Sequence, residues 1–218
     1  MTLTKLKGYN TSDTIAAIAT FPSTSALGII KISGKLALRI ISEIFLSPKK
    51  KNIKKVKTYT LHYGWIVDKT KNEKRKAKSV NRSPLTANRK PLTENIIDEV
   101  LVSVMRAPNS YTREDVVEIS CHGGVLALNR ILEVILNEGA RLAEPGEFTY
   151  RAFLNGRINL LQAESILTIV EAKSDESLAL AARQLKDQSQ DKLKELRELI
   201  KEIFIETEAA INLSLIHI

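Results

Sequence analysis

Short apolar, β-branched runs open the chain. Residues 14–20 (TIAAIAT) and 27–33 (LGIIKIS) are each of strand length, Phe21-Pro22-Ser23-Thr24-Ser25 between them has the composition of a loop, and Gly34 ends the second run. Residues 36–45 place apolar side chains at 36, 40, 41 and 45, which is helical spacing. Residues 59–67 (YTLHYGWIV) alternate and predict a strand. Residues 68–96 are almost entirely polar, with Pro84 and Pro91, and predict a long, mobile hairpin loop. Strand character resumes over 97–105 and again over 116–121, followed by a helix-periodic stretch at 125–138. A Pro-Gly turn at 145–146 precedes a short helix over 147–155, stopped by Gly156. Strands that interleave with helices in this way predict an α+β domain.

Beyond residue 160 the texture changes. Proline and glycine disappear, and alanine, leucine, glutamate and lysine dominate. A helix is expected over 160–172, with Ser174-Asp175 as a break and N-cap. Apolar or small residues then recur at 178, 182, 185, 189, 193, 196, 200, 203, 207 and 210, which predicts one continuous amphipathic helix. The division expected is therefore 1–155 for the α+β domain, with 68–96 as a basic insertion, and 156–218 for the start of an all-α domain. The last residues, NLSLIHI, leave the charged pattern without a cap or stop signal, and read as a truncated or artefactual end.

Composition narrows the class. Hydrophobic residues at 44% and charged residues at 27% are ordinary for a globular chain, and exclude wholesale disorder or a collagen-like fibre. The single cysteine, Cys121, cannot form an internal disulfide, which favours a reducing compartment. No apolar run reaches the ~18 residues of a membrane span, and the N-terminus has no secretion-signal core. A cytoplasmic protein with no membrane partner is the expectation. The net charge of +8 is concentrated: residues 48–57 hold six lysines and no acid, and residues 68–90 hold nine Lys or Arg against Asp68 and Glu73. These two segments exceed the whole net charge, so the remainder is acidic. Such runs attract phosphate, although solvated loops are their commoner use.

Two clusters carry candidate chemistry. Residues 108–124 (PNSYTREDVVEISCHGG) end a strand in His-Gly-Gly and feed a helix; the glycines permit positive φ and a tight turn. Cys121 is the type of residue usually buried, and His122 has no neighbouring His or Cys to suggest a metal. Glu118 is the anomaly: a carboxylate in an apolar run, on the same face as Val116. Buried there it needs a donor, either a basic side chain or the N–H groups of a bound heterocycle. In the second cluster, residues 144–157 (EPGEFTYRAFLNGR), Arg157 directly follows the helix stop, so its guanidinium is aimed by fixed backbone and suits a carboxylate or phosphate. No phosphate loop G-x-x-x-x-G-K-(S/T), no G-x-S-x-G elbow and no G-x-G-x-x-G fingerprint is present. No residue is assigned as catalytic and none as a metal ligand.

The stretches DTIAAIAT, GIIKISG, APNSYTREDVVEISCHGG and ARLAEPGEFTYRAFLNGRINLLQAESI, in this order and spacing, closely resemble the tRNA modification GTPase MnmE (TrmE) family. The resemblance implies an N-terminal tetrahydrofolate-binding-like domain that dimerises, then a helical domain carrying an inserted Ras-like GTPase domain. It implies partnership with the FAD protein MnmG and addition of a (carboxymethyl)aminomethyl group to carbon 5 of the wobble uridine of certain tRNAs. The one-carbon unit would come from a methylene-tetrahydrofolate, and GTP hydrolysis would need potassium and magnesium. The family's folate-contacting positions fall on Lys31, Glu118 and Arg157. Glu118 suits the pterin's amino group and ring N–H, and Lys31 and Arg157 suit the carboxylates of the glutamate tail.

The sequence also departs from the family pattern. Pro22-Ser23-Thr24-Ser25-Ala26-Leu27 stands where P-P-G-R-G-G is usual, and Lys31 replaces an arginine. The 68–90 insertion is longer than the family's. The chain reaches Glu208-Ala209-Ala210-Ile211-Asn212-Leu213 with no GTPase domain. Two rival readings are a folate-free dimerisation and tRNA-binding scaffold, and an independent folate-dependent methyltransferase.

Overall fold

The computed structural model describes residues 12–21, 23–49, 52–69, 95–186 and 189–216. Two compact units meet between Arg157 and Ile158.

The first unit is built on one mixed sheet. Its strands are β1 (Ile15–Ile18), β2 (Ser25–Ser33), β3 (Phe45–Leu46), β4 (Thr60–Val67), β5 (Ile96–Met105), β6 (Val116–Gly123) and β7 (Arg141–Leu142), in the order β3-β4-β5-β6-β2-β1-β7. Every neighbouring pair is antiparallel except β1 with β7, which is parallel. Helices α1 (Ala37–Ile44), α2 (Val125–Asn137) and α3 (Glu147–Leu154) complete the unit, with a 3-10 turn at Ile53–Lys55. The α+β class expected from the interleaved periodicities is the class observed.

Alternation along the strands sorts the two faces. Ile30, Ile32, Val100, Val102, Val104, Val117 and Ile119 turn to one side, where Ile40, Ile41 and Ile44 of α1 and Leu128, Ile131 and Ile135 of α2 complete the core. The opposite face carries no such helical layer. At one end of it Ile15, Ser33 and Val116 are fully buried, closed over by the 106–115 loop and by α3. Beyond that cover the face is open, and Leu61, Tyr63 and Leu101 are exposed on it.

The second unit holds α4 (Leu160–Glu171), α5 (Asp175–Lys186) and α6 (Ser189–Ile216). Asn159 and Gln162 form a capping box at the start of α4, and Ser174 accepts from the Ser177 N–H at 3.2 Å ahead of α5. The Gln162 amide donates to the Leu185 carbonyl at 2.9 Å, which sets α4 and α5 antiparallel with Ser165 and Ala181 buried.

The stretch expected as one long helix is described as α5 and α6, and residues 187 and 188 between them lie outside the described residues. Two expectations need correction. The second strand begins at Ser25 rather than 27, because Ser25 pairs with Gly123 across a bulge. Gly123 and Gly124 do not have positive φ. Gly123 is needed for close approach instead: a Cβ there would lie 2.4 Å from the Ser25 carbonyl oxygen. The mobile loop expected over 68–96 falls mostly outside the described residues, as do Pro22 and the final two residues. At its described ends, the Asp68 N–H donates to the Asn95 carbonyl at 2.9 Å, and Ile96 already belongs to β5.

Candidate functional site

The register of β2 against β6 sets Lys31 directly opposite Glu118. Ile30, Ile32, Val117 and Ile119 beside them turn to the core, so both charged side chains stand on the opposite face, at the edge of the cover made by α3 and the 106–115 loop. The Lys31 Nζ lies 3.1 Å from the Glu118 carboxylate, with the two side chains 21% and 30% exposed. Across the sheet this row continues through Ser103 to Leu61.

Two rings from the cover stand beside the ammonium. Tyr111, in the 106–115 loop, has its ring centre 5.0 Å from Lys31 Nζ; Phe148, in the first turn of α3, is 5.7 Å away. Both distances are in cation–π range. The third candidate, Arg157, places its guanidinium carbon 4.7 Å from the same Tyr111 ring. Lys31 and Arg157, widely separated in the chain, thus face one aromatic side chain, and Glu118 is tied to the first of them.

The aim of Arg157 comes from the end of α3. Gly156 takes φ +69, its N–H donates to the Phe153 carbonyl at 3.0 Å, and the Arg157 N–H reaches back to the Ala152 carbonyl at 2.9 Å. This paired closure needs a left-handed residue at the glycine position. Asn155 ties the helix end to the loop, its amide donating to the Thr112 carbonyl at 2.6 Å while its own carbonyl accepts from Arg113 at 3.0 Å. The Tyr111 hydroxyl and Thr149 Oγ1 are 2.9 Å apart.

Beneath the cover lies an ionic network. Arg151 is fully buried and donates to Glu147, to the Asp13 carboxylate and carbonyl, and to Glu114. Arg141 bridges the same Glu147, at 2.7 Å, and Asp13, at 2.8 Å. Ser33 donates to Glu114 at 2.6 Å. Burial opposes the charge on Asp13 and Glu147, yet hydrogen bonds from Arg141 and Arg151 outweigh it and hold both carboxyls below their usual range. Burial likewise works against the Arg151 cation, and Asp13 and Glu147 raise its pKa nonetheless.

Other candidate chemistry resolves into structure. Burial pushes the Cys121 thiol up to about 11, and Cys121 sits in the core. His122 is largely exposed with Nδ1 2.7 Å from Asp98, whose carboxylate raises the imidazole pKa. A cleft of about 540 Å³ is lined by Lys35, Ala107, Pro108, Arg113, Glu114, Asp115 and Asn155. Lys31 and Glu118 are partly exposed and Arg157 is exposed, so the cluster is an open platform on the sheet.

The pattern of residues around Glu118 and Arg157 pointed toward these positions, whereas Tyr111, Phe148 and the Arg151 network went unnoticed. The spacing of Glu147 and Arg151, four apart on a helix, was the available signal for part of it. Nothing local pointed to Asp13, 138 residues away from Arg151.

Fold and platform together define an α+β domain whose open sheet face presents a charged, aromatic-rimmed surface, joined to a helical unit. Residues 14–157 match the family described as GTP-binding protein TrmE N-terminus. The chain is 49% identical over 200 residues to the tRNA modification GTPase MnmE of Thermoanaerobacter pseudethanolicus, covering 92% of this chain and 39% of that protein. It is 46% identical over 200 residues to the MnmE of Carboxydothermus hydrogenoformans and to that of Clostridioides difficile, covering 92% of this chain in each case and 39% and 38% of those proteins. The chain belongs to the MnmE (TrmE) family, and spans about two fifths of the length of the curated relatives it matches.

Proposed function

We propose that this chain is the folate-binding and dimerising N-terminal part of a cytoplasmic tRNA modification GTPase. The observation that carries the reading is the approach of Lys31 and Arg157 to the Tyr111 ring, with Glu118 paired to Lys31. The donors and acceptors fit a tetrahydrofolate. Glu118 offers acceptors to the pterin's amino group and ring N–H, Lys31 and Arg157 offer cations to the tail carboxylates, and Phe148 offers a flat apolar wall. The head group must take Glu118 from Lys31; a part-exposed ion pair of this kind contributes about 1 kcal/mol or less, so the exchange is easy.

When bound, the folate supplies the one-carbon unit. In the family reaction this unit enters the (carboxymethyl)aminomethyl group on carbon 5 of the wobble uridine, in concert with the FAD protein MnmG. The residues here bind and orient; none is assigned a proton transfer. GTP, magnesium and potassium belong to a GTPase domain, and these 218 residues contain no phosphate loop for one.

An open platform does not exclude water by itself. A second copy laid on the open face would close it, and Leu61, Tyr63 and Leu101, exposed on the same face, supply apolar contact for that copy. Calorimetric titration with 5-formyl-tetrahydrofolate tests the reading. Saturable binding near one ligand per chain, lost in Glu118→Gln, is expected. A folded, dimeric chain that gives no heat would hand the argument to the folate-free scaffold that contacts tRNA, whose signature is RNA affinity falling steeply with salt.

A further inference from the structure

Tyr111 is unusual in touching two cations at once. Its ring lies 5.0 Å from Lys31 Nζ and 4.7 Å from Arg157 Cζ. Long cationic side chains have several free torsions, so neither is expected to stay on the ring without a further hold. Lys31 has two further holds, Glu118 at 3.1 Å and the Phe148 ring at 5.7 Å. Arg157 has neither: its side chain is exposed and, among the described residues, makes no ion pair.

The ring itself is firmly placed. Its hydroxyl meets Thr149 at 2.9 Å, the next residue Thr112 is fully buried against Ser33 at 2.6 Å, and the Thr112 carbonyl accepts from Asn155 at 2.6 Å. Asn155 is two residues before Arg157. The loop and the helix end are therefore zipped together, and the ring rides on the same scaffold as the cation it steadies.

We propose that Tyr111 is a positioning residue of this site, holding the Arg157 guanidinium over the ring that the Lys31 ammonium also faces, so that Arg157 is set to receive an anionic tail. The proposal rests on the folate reading given above for the identity of that tail. The face of the ring does the holding; the hydroxyl only seats the ring. Ligands whose charge lies in a tail depend on Tyr111, and they depend on it through Arg157.

The experiment uses the full chain with Tyr111→Phe, Tyr111→Leu, Arg157→Ala and the Tyr111→Leu/Arg157→Ala double variant. Affinity for 5-formyl-tetrahydrofolate is measured by calorimetry. Tyr111→Phe should stay within about twofold of the parent, and Tyr111→Leu should bind about fivefold more weakly, the scale of the one Arg157–ring contact at an exposed site, since Lys31 keeps Glu118 and Phe148. In the Arg157→Ala background the same Leu substitution should change affinity by less than about twofold, because a residue acting through another is non-additive with it. Additive losses, or a Phe variant as weak as the Leu variant, overturn the proposal. A readout without ligand separates it from the folate reading: the 15N heteronuclear NOE of the Arg157 Nε should be high in the parent and Tyr111→Phe and fall in Tyr111→Leu. If the parent binds no folate, the folate reading fails and the NOE still decides; an unchanged NOE in Tyr111→Leu overturns the positioning role.

Discussion

Replacing Arg151 by methionine is the sharpest test of how the site is held. The side chain is fully buried and its guanidinium serves Glu147, Asp13 and Glu114 together. Removing one partner of a buried charge cluster typically destabilises by ~3–5 kcal/mol, because the remaining charges are left uncompensated. Here part of the compensation survives. Glu147 keeps Arg141 at 2.7 Å and the Glu144 N–H at 2.9 Å, Asp13 keeps Arg141 at 2.8 Å, and Glu114 keeps the Ser33 hydroxyl. What is lost outright is the cation beside Glu114 and the donor to the Asp13 carbonyl, at 2.9 Å. The low end, ~3 kcal/mol, is therefore expected, and for a unit of this size it corresponds to a fall in Tm of roughly 6–12 °C.

The pH dependence makes this specific. Asp13 and Glu147 have folded pKa values below their ordinary ones, so the stability they contribute is present above the unfolded values and lost as pH falls through the folded ones. Arg151→Met removes part of that depression. Its deficit relative to the parent should be full at pH 7 and shrink as the pH drops below the ordinary glutamate value of 4.5. Thermal melts followed by circular dichroism from pH 7 to pH 3 measure it. Adding Glu114→Gln to Arg151→Met should restore part of the loss, since the orphaned charge then disappears. A variant melting within ~2 °C of the parent at pH 7, or a deficit that ignores pH, would refute the reasoning.

Further outcomes follow from the same geometry. Glu118→Gln should weaken 5-formyl-tetrahydrofolate binding by about tenfold or more, the scale of a hydrogen bond to a charged acceptor, with melting nearly unchanged; equal affinity in calorimetry removes Glu118 from the head-group role. The His122 imidazole should titrate above its ordinary value of 6.5 by NMR, and Asp98→Asn should bring it back down; the charge attraction between His122 and Asp98 is thus present below the ordinary value and lost as pH rises through the raised one. Leu199, Ile200, Ile203 and Phe204 of α6 are all exposed, so the chain should self-associate beyond a dimer; replacing Leu199 and Ile203 by glutamine should reduce this in light scattering, and a clean dimer before replacement contradicts it.

The elements were readable where they depend on neighbours in sequence. Strands β2 and β6 show their apolar, β-branched runs, α3 shows its Pro-Gly entry and Gly156 exit, and α5 shows its Ser174-Asp175 start, because each signal lies within a few residues of what it sets. Glu118 was legible for the opposite reason: a carboxylate in an apolar run violates the local pattern, and violations of this kind concentrate where a protein has a use for them. Its cross-strand partner was not legible, since which residue of β2 faces it follows from a register shared by distant segments. The same holds more strongly for Tyr111, whose meeting with Lys31 and Arg157 requires the loop, β2 and the end of α3 to be assembled first. Arg151 joins the groups that make this assembly, from Asp13 before β1 to Glu114 in the loop and Glu147 on its own helix. The residues that display the platform are thus separate from the one that secures it. Substitutions at Glu118 and at Arg151 should accordingly divide, the first changing affinity with little change in melting, the second lowering both.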